Sequence, residues 1–498
     1  MTTTPTPATT VDPLAPGYRP SDFAANRDAL AAHFDREAEQ RARWRRFNGT
    51  YHAEVLRMCR FVVEPGARVL DLGCGTGDLL AALEPSYGVG VDISAKMVEL
   101  ARAAHPQLTF VQDAAETWQP DEAGATFDYV ILSDLVQLAY DIGAVFRNVR
   151  RLCHARTRII VHSHSQLWRP ILGLATTLGL KARQPVLNWV TTEDITNLMD
   201  LSALEPVATQ RRILLPLFLP LLTWLCNRLL VRLPIIKHLA LTNWVVARPS
   251  GPGVARDPAQ TSVSIVVAAR NEEGNVPAIV ARMPQLGRAT ELIFVEGNSS
   301  DDTTGAIQRE IAAHPELDIS LHHQQGKGKG DAVRVGFAAA KHDVLMILDA
   351  DLTVAPEDLQ QFFDALCSGR GEFINGSRLV YPMEGRAMRF LNLVGNKFFA
   401  GAFSYLLGQR IKDTLCGTKV LLRADYERIA RGRAYFGEFD PFGDFDLLFG
   451  AARLHLKIVE VPIRYRDRVW GTTQIRRWRD GVLLLRMCLV AFRKLRLQ

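Results

Sequence analysis

Two aspartates, Asp349 and Asp351, close the apolar run Val344-Leu345-Met346-Ile347-Leu348 and are the residues of this chain best placed for chemistry. A short run of this kind reads as a buried parallel strand. Open α/β sheets bind ligands at the carboxyl ends of their strands. Side chains alternate along a strand, so Asp349 and Asp351 are expected on one side and Ala350 on the other. Two carboxylates this close repel at neutral pH, and a divalent cation that also binds phosphate relieves the repulsion. An isolated Asp-x-Asp is more often a solvated turn. Here Gln325-Gly326-Lys327-Gly328-Lys329-Gly330 precedes it, and such a loop offers backbone N–H groups and compact ammonium charges to a diphosphate.

A second constellation lies near the amino end. Val69-Leu70-Asp71-Leu72 runs into Gly73, Gly75 and Gly77 and then into a helix, and glycines there let the backbone turn tightly and approach a ligand. About 20 residues on, a second strand ends at Asp92, where an acid reaches ribose hydroxyls. A third strand ends at Asp113, and a fourth, Phe127 to Leu132, leads to Ser133-Asp134. His162, His164 and Trp168 follow an expected fifth strand, Thr157 to Val161. A histidine there could be a general base near neutral pH, or a polar loop residue.

Residues of about 40–248 resemble the class I S-adenosylmethionine-dependent methyltransferases, through the glycine loop and the acids after the second and third strands. The resemblance implies that Asp71 and Gly73, Gly75 and Gly77 face the methionine part of the cofactor, with Asp92 on the ribose and Asp113 at the adenine amino group. Tyr51-His52 would close over it. An NAD-binding domain competes for the glycine loop alone, and Leu-Asp-Leu-Gly-Cys-Gly-Thr-Gly argues against it.

Residues of about 262–485 resemble the family-2 inverting glycosyltransferases, specifically the polyprenyl-phosphate (dolichyl-phosphate-mannose-synthase-like) group. Asn271-Glu272, the Gly-Lys-Gly-Lys-Gly run and Asp349-Ala350-Asp351 carry the match in the nucleotide half. Asn375-Gly376-Ser377-Arg378, Asp413 to Lys419, Val459-Glu460-Val461-Pro462-Ile463 and Arg468 to Thr473 carry it in the acceptor half. The resemblance implies Asp349 and Asp351 on Mg²⁺ or Mn²⁺, with Arg378 and Arg468 facing sugar or phosphate. It places Ala269, Asn271, Glu272, Glu296, Asn298, Lys327 and Lys329 along a nucleotide-sugar pocket. Two positions depart from the family. Glu296-Gly297-Asn298-Ser299 stands where Asp-Asp-Gly-Ser is usual, which leaves the base of the donor open. Gln474 replaces a lysine, with Arg476, Arg477 and Arg479 as nearby cations. Gln474 to Trp478 also fits the Gln-x-x-Arg-Trp of processive polysaccharide synthases, which we read as coincidence because their spanning helices and base motif are missing. A polyprenyl phosphate is already ionised and needs little base catalysis. A hydroxyl acceptor would need a base, and Asp444 or Asp446 would be the candidate, though both also fit a helix N-terminus with first-turn acids.

The elements that must hold these residues follow from their spacing. At 498 residues, two or three domains are expected. Strand, loop and helix repeats imply α/β layers with right-handed crossovers. The expected fold is two doubly wound α/β domains, a Rossmann-like methyltransferase over 21–248 and a glycosyltransferase-A fold over 262–498. A Thr/Pro-rich disordered tail, 1–20, and a Pro/Gly-rich linker, 249–261, complete the chain.

The net charge is +6, but residues from Arg464 onward hold ten basic and two acidic side chains, leaving the remainder at −2. With no aromatic–basic stripe beside the cofactor loop, a nucleic-acid partner is not expected. Seven scattered cysteines without Cys-x-x-Cys fit a reducing, cytoplasmic compartment without structural zinc. No uncharged apolar run reaches the roughly 20 residues of a spanning helix; Ile213 to Asn227 is nearest and carries Pro216 and Pro220. Val482 to Phe492, with Arg493-Lys494-Leu495-Arg496 behind it, fits either a helix lying on an anionic membrane face or a core helix with a solvated end. The expected function is a bifunctional enzyme that moves a sugar from a nucleotide donor to a polyprenyl phosphate and methylates an acceptor not yet defined. The alternative makes the first domain a cofactor-binding scaffold for a transferase acting on a hydroxyl.

Overall fold

The structure is a computed structural model. It describes residues 22–122, 124–179, 181–182, 185, 188–381, 390–437, 443–466, 468, 470 and 477–497. The tail expected over 1–20 and residues 471–476, with Gln474 and Arg476, lie outside them, as do the side chains of Arg477 and Arg479. The chain divides into two compact units, Met1–Ser250 and Gly251–Leu497.

The first unit is built on seven strands: β1 Arg68–Leu72, β2 Tyr87–Asp92, β3 Thr109–Gln112, β4 Phe127–Ser133, β5 Cys153–His164, β6 Leu204–Arg212 and β7 Thr242–Pro249. Their order is β3-β2-β1-β4-β5-β7-β6. The first five are parallel, and β7 runs antiparallel between β5 and β6. Leu70, Leu72, Val130, Leu132 and Ile159 are sealed in its core, because helices cover both faces of a parallel sheet and its strands read as continuous apolar runs. The strand order reverses between β1 and β4, so a crevice opens at their carboxyl ends, where the glycine loop begins.

The fifth strand is longer than its apolar run. His162 pairs with Trp244 and His164 with Thr242 across β7, so both histidines are strand residues and not loop residues. The partner that extends the strand arrives some eighty residues later in the chain, out of reach of any local pattern.

The second unit repeats the plan with β8 Ser262–Ala269, β9 Ala289–Glu296, β10 Asp318–His323, β11 Val344–Asp349, β12 Phe373–Ser377, β13 Lys419–Leu422 and β14 Ile458–Pro462. The order is β10-β9-β8-β11-β13-β12-β14. β8 to β11 are parallel and β13 is antiparallel to both its neighbours. The reversal falls between β8 and β11. The register aligns Ala269 with Glu296, Glu296 with His323, and Asp349 with Ala268. Four strand ends therefore form one row at the carboxyl edge.

Part of the expected linker is held against the second unit. Two 3-10 turns, Pro252–Val254 and Pro258–Gln260, flank Arg256, whose N–H donates to the Cys367 carbonyl at 2.8 Å. Among the described residues no helix is long and apolar enough to cross a membrane.

Candidate active sites

In the first unit a cavity of about 760 Å³ opens at the carboxyl ends of β1, β2 and β4 and is lined by Asp71, Gly73, Gly75, Asp92 and Asp113. Asp92 is buried, and its oxygens accept the N–H groups of Gly75 at 2.7 Å and Ser94 at 2.9 Å. It thus holds the glycine loop to the end of β2. The Asp71 carboxyl is also buried, and its Oδ1 has no hydrogen-bond partner among the described residues. Burial, with the Asp92 charge behind it, pushes the Asp71 carboxyl up to about 8. Asp113 sits exposed at the rim and accepts from the Ala114 N–H at 2.7 Å.

Gly77 is placed differently from the other two glycines and is not on the cavity wall. It precedes the helix Asp78–Ala82 at φ 73, and a Cβ there would meet Phe110 at 2.5 Å. Its smallness serves packing under the loop. Gly77→Ala is therefore expected to cost about 1–3 kcal/mol of first-unit stability, from the left-handed φ and the overlap together. Thermal unfolding of the purified variant checks this, and an unchanged transition refutes it.

At the other end of the cavity, Tyr51 Oη donates to Asp134 Oδ2 at 2.7 Å and lies 3.2 Å from His164 Nε2. The His164 backbone N–H donates to Gln137 Oε1 at 3.1 Å, which orients that amide; its Nε2 then donates to His164 Nδ1 at 2.9 Å. The imidazole proton is left on Nε2, facing Tyr51. Burial pushes His164 down to about 4, and burial followed by the Arg41 charge does the same to His52. His164 is thus neutral near pH 7 with both nitrogens engaged; burial works to raise the Asp134 carboxyl, yet His162, His164 and the Tyr51 hydroxyl hold it below the usual range. The His162 ring lies 4.3 Å from that of Trp244, tilted by 41°, and is fully buried, so it does not line the cavity. Trp168 lines the cavity and donates to the Leu239 carbonyl at 2.8 Å. Sequence reasoning named Asp134 after the fourth strand without giving it a role, and passed over Gln137. The position of Asp134 at the end of β4, matching Asp71 and Asp92 on their strands, was the available signal.

In the second unit, β11 ends at Asp349 and Asp351 lies in the turn beyond, followed by Leu352 at φ 55. The strand alternation expected to carry both aspartates stops there, and each carboxylate has its own cation. Asp349 pairs with Lys329, at the start of the helix Lys329–Ala339. Asp351 Oδ2 accepts from Arg468 Nη2 at 2.6 Å, and its Oδ1 accepts from the Thr353 hydroxyl at 2.6 Å. Burial works to raise the Asp349 carboxyl, yet Lys329, Lys419 and Arg378 hold it below the usual range. A Cβ at Gly417 would collide with Asp349 Oδ2 and Lys329 Nζ, so a side chain there would push the pair aside. Lys327 points to solvent.

Glu296 is buried and folds its own turn: Oε1 accepts from the Ser299 N–H at 2.5 Å and Oε2 lies 3.2 Å from His323 Nδ1. Asn298 and Asn271 both adopt left-handed φ, 58° and 57°. Asn271 Oδ1 accepts from the Ser300 N–H at 2.7 Å, and Glu272 Oε2 accepts from Asn275 at 2.6 Å. The Asn271–Ser300 bond, with the Glu272 N–H donating to the Thr303 hydroxyl at 3.0 Å, ties the loop after β8, next to Ala269, to the loop after β9. His323 was not anticipated; its alignment with Glu296 depends on the β9–β10 register.

Arg378 is paired with Asp413 through two side-chain bonds, 2.7 and 2.8 Å, and its Cζ lies 5.2 Å from the centre of the Tyr465 ring. Glu460 on β14 accepts from the N–H groups of Lys412 and Asp413 and fixes that loop. Asp444 opens the helix Asp444–Arg453 and pairs with the fully buried Lys419 at 2.9 Å, while Asp446 pairs with Arg433 at 2.7 Å. A group of Glu291, Asp318 and His342, close enough to share an ion, lies at the amino ends of β9 to β11, where Lys341 pairs with both acids. It is separate from the Asp349–Asp351 pair.

Both units resemble known proteins. The profile of glycosyl transferase family 2 matches residues 264–429, and that of a methyltransferase domain matches residues 69–155. A dolichyl-phosphate hexose transferase of Haloferax volcanii is 30% identical over 224 residues, 45% of this chain and 90% of its own length. Polyprenol monophosphomannose synthase of Mycolicibacterium smegmatis is 29% identical over 234 residues, 45% of this chain and 86% of its own. A SAM-dependent methyltransferase structure from Thermotoga maritima aligns with 45% of this chain and 100% of its own at 15% identity and TM-score 0.35. The chain belongs to glycosyl transferase family 2 and carries a methyltransferase domain ahead of its glycosyltransferase domain.

Proposed function

We propose that the second unit transfers a sugar, with inversion, from a nucleotide-sugar donor to a polyprenyl phosphate. The observation that carries this reading is the pairing of Asp444 with Lys419 and of Asp446 with Arg433. Both acids expected to serve a hydroxyl nucleophile as base are engaged instead by cations of the protein. A phosphate needs no base: its oxygen forms the new bond to the anomeric carbon as the bond to the donor diphosphate breaks and the diphosphate leaves. The names of the relatives from H. volcanii and M. smegmatis support this acceptor class.

The carboxylates of Asp349 and Asp351 offer hard oxygen donors suited to Mg²⁺ or Mn²⁺, and the glycine at 417 keeps a side chain from crowding Asp349. These two residues would hold the ion, which would neutralise charge on the leaving diphosphate. Lys329 and Arg468 add fixed positive charge beside the same place. The apolar face of the helix Arg477–Ala491, with Val482, Leu485 and Leu489 exposed, would rest on the membrane that holds the acceptor. At its end Arg496 and Lys494 lie over the Tyr405 and Tyr435 rings of the same unit, and Arg493 and Lys494 are exposed. Incubating the full chain with a panel of sugar nucleotides, Mn²⁺ and short polyprenyl phosphates tests the proposal. A glycosylated polyprenyl phosphate detected by mass is the expected product; transfer only to hydroxyl acceptors overturns it.

The first unit, on this proposal, binds S-adenosylmethionine and methylates a separate acceptor. The unpartnered Asp71 oxygen is the place for the methionine ammonium, Asp92 for the ribose and Asp113 for the adenine edge. Asp134, held in place by Tyr51 beside His164, would accept a hydrogen bond from the acceptor. This assignment has a pH signature. Empty and folded, Asp71 stays protonated up to about pH 8, whereas in the unfolded chain it ionises near 4. Its burial therefore costs stability increasingly as pH rises from about 4 to 8. An ammonium ligand favours the ionised form, so binding near pH 7 is expected to release up to one proton from Asp71 and to tighten between pH 6 and 7.5. Calorimetry in buffers of different ionisation enthalpy reads that proton, and Asp71→Asn should abolish its release.

A further inference from the structure

The mouth of the first unit's cavity is apolar and exposed. Two segments form it: residues 165–178, with the helix Arg169–Thr177, and the insertion 213–241 between β6 and β7. Leu174 is 60% exposed, Phe218 77%, Leu221 83% and Ile235 84%. Single exposed apolar residues are ordinary, but a cluster of this kind marks an interaction surface. The segments are joined to each other: Ser165 N–H donates to the Leu241 carbonyl, and Leu241 N–H to that of Ile213, each at 2.7 Å. They also line the cavity itself, through Trp168, Leu172, Leu215 and Leu217. The exposed collar thus runs without interruption into the space that ends at Asp71 and Tyr51.

Charge says what fits the collar. Neither 165–182 nor 211–241 contains an Asp or Glu, although the chain holds 53 of them in 498 residues. The same stretches carry Arg169, Arg211 and Lys237, while Lys181 lines the cavity near the Asp134 and Glu37 charges. An apolar surface with basic and no acidic residues suits the interface of an anionic bilayer. A second copy of the same collar would bring like charge against like charge.

We propose that this collar seats the methyltransferase unit on an anionic lipid bilayer, and that the methyl acceptor enters the cavity from that bilayer. The docking rests on the surface alone; the route of the acceptor rests also on the methyl-transfer reading. Apolar side chains enter the acyl boundary, and the basic residues meet lipid phosphates.

Trp224, exposed in the insertion, is the reporter. Full-length protein is mixed with brominated vesicles of phosphatidylcholine, with or without phosphatidylglycerol. Tryptophan quenching is expected only with the anionic lipid, and Trp224→Phe should remove a large part of it. Phe218→Glu/Leu221→Glu/Ile235→Glu should weaken vesicle binding at least about ten-fold while keeping its heat of S-adenosylmethionine binding, which shows that the unit is folded. Leu485→Glu/Leu489→Glu in the second unit should leave the Trp224 signal in place. Quenching as large in Trp224→Phe as in the wild type overturns the proposal, as does equal binding to neutral vesicles. A wild-type dimer that the triple variant makes monomeric, with vesicle binding intact, assigns the collar to a second copy instead. If S-adenosylmethionine fails to bind even the wild type while the Trp224 signal holds, methyl transfer falls and the docking stands.

Discussion

Asp349→Asn is expected to lower the rate of sugar transfer by the full-length protein about 10³-fold or more. The substitution keeps the shape of the side chain and removes its charge. In the structure that charge lies against Lys329, with Lys419 and Arg378 among the groups that hold it ionised. The same carboxylate would hold the metal on the leaving diphosphate, so its loss falls on the bond-breaking step. Transfer to a short polyprenyl phosphate, followed by mass, reads the effect. Asp444→Asn separates the two acceptor readings. It strips the buried Lys419 of its carboxylate partner, which is expected to cost about 3–5 kcal/mol of stability without removing a base from the chemistry. If Asp444→Asn remains folded and its transfer rate collapses as far as that of Asp349→Asn, the hydroxyl acceptor returns.

Asp92→Ala is expected to weaken S-adenosylmethionine binding by about 10²-fold or more while leaving sugar transfer at the wild-type rate. The carboxylate accepts two backbone N–H groups, from Gly75 and Ser94, and charge-assisted bonds of this kind contribute about 1.5–3 kcal/mol each. Its removal both loosens the glycine loop and deletes the acceptor expected for the ribose. Calorimetric titration of wild type and variant decides the matter. Equal binding by the two refutes the ribose role. Silence from both, with sugar transfer intact, makes the first unit a scaffold.

Much of this was legible in the sequence because it is written locally. Apolar runs ending in Asp71, Asp92, Asp134 and Asp349 mark strand ends, and in an open α/β sheet strand ends are where ligands bind. The glycine loops announce close backbone approach, and at Gly75 the structure has the loop N–H on Asp92. Gly77 shows the limit of that logic. It belongs to the same loop, but Phe110 from β3 occupies the space beside it, and no spacing rule foretells which glycine faces a ligand and which faces a ring.

The sequence by itself determined the fold class of both units, the family of the second and which strand ends carry acids. All three depend on the order and periodicity of residues close together in the chain. Only the tertiary structure decided how those acids are partnered. Asp349 and Asp351 separated onto Lys329 and Arg468, Arg378 turned to Asp413, and the histidines after the fifth strand became strand residues once β7 paired with them. Partners that lie twenty to more than a hundred residues away in the chain are chosen by strand order and register. A carboxylate's role as ligand, base or anchor follows from the charge placed beside it.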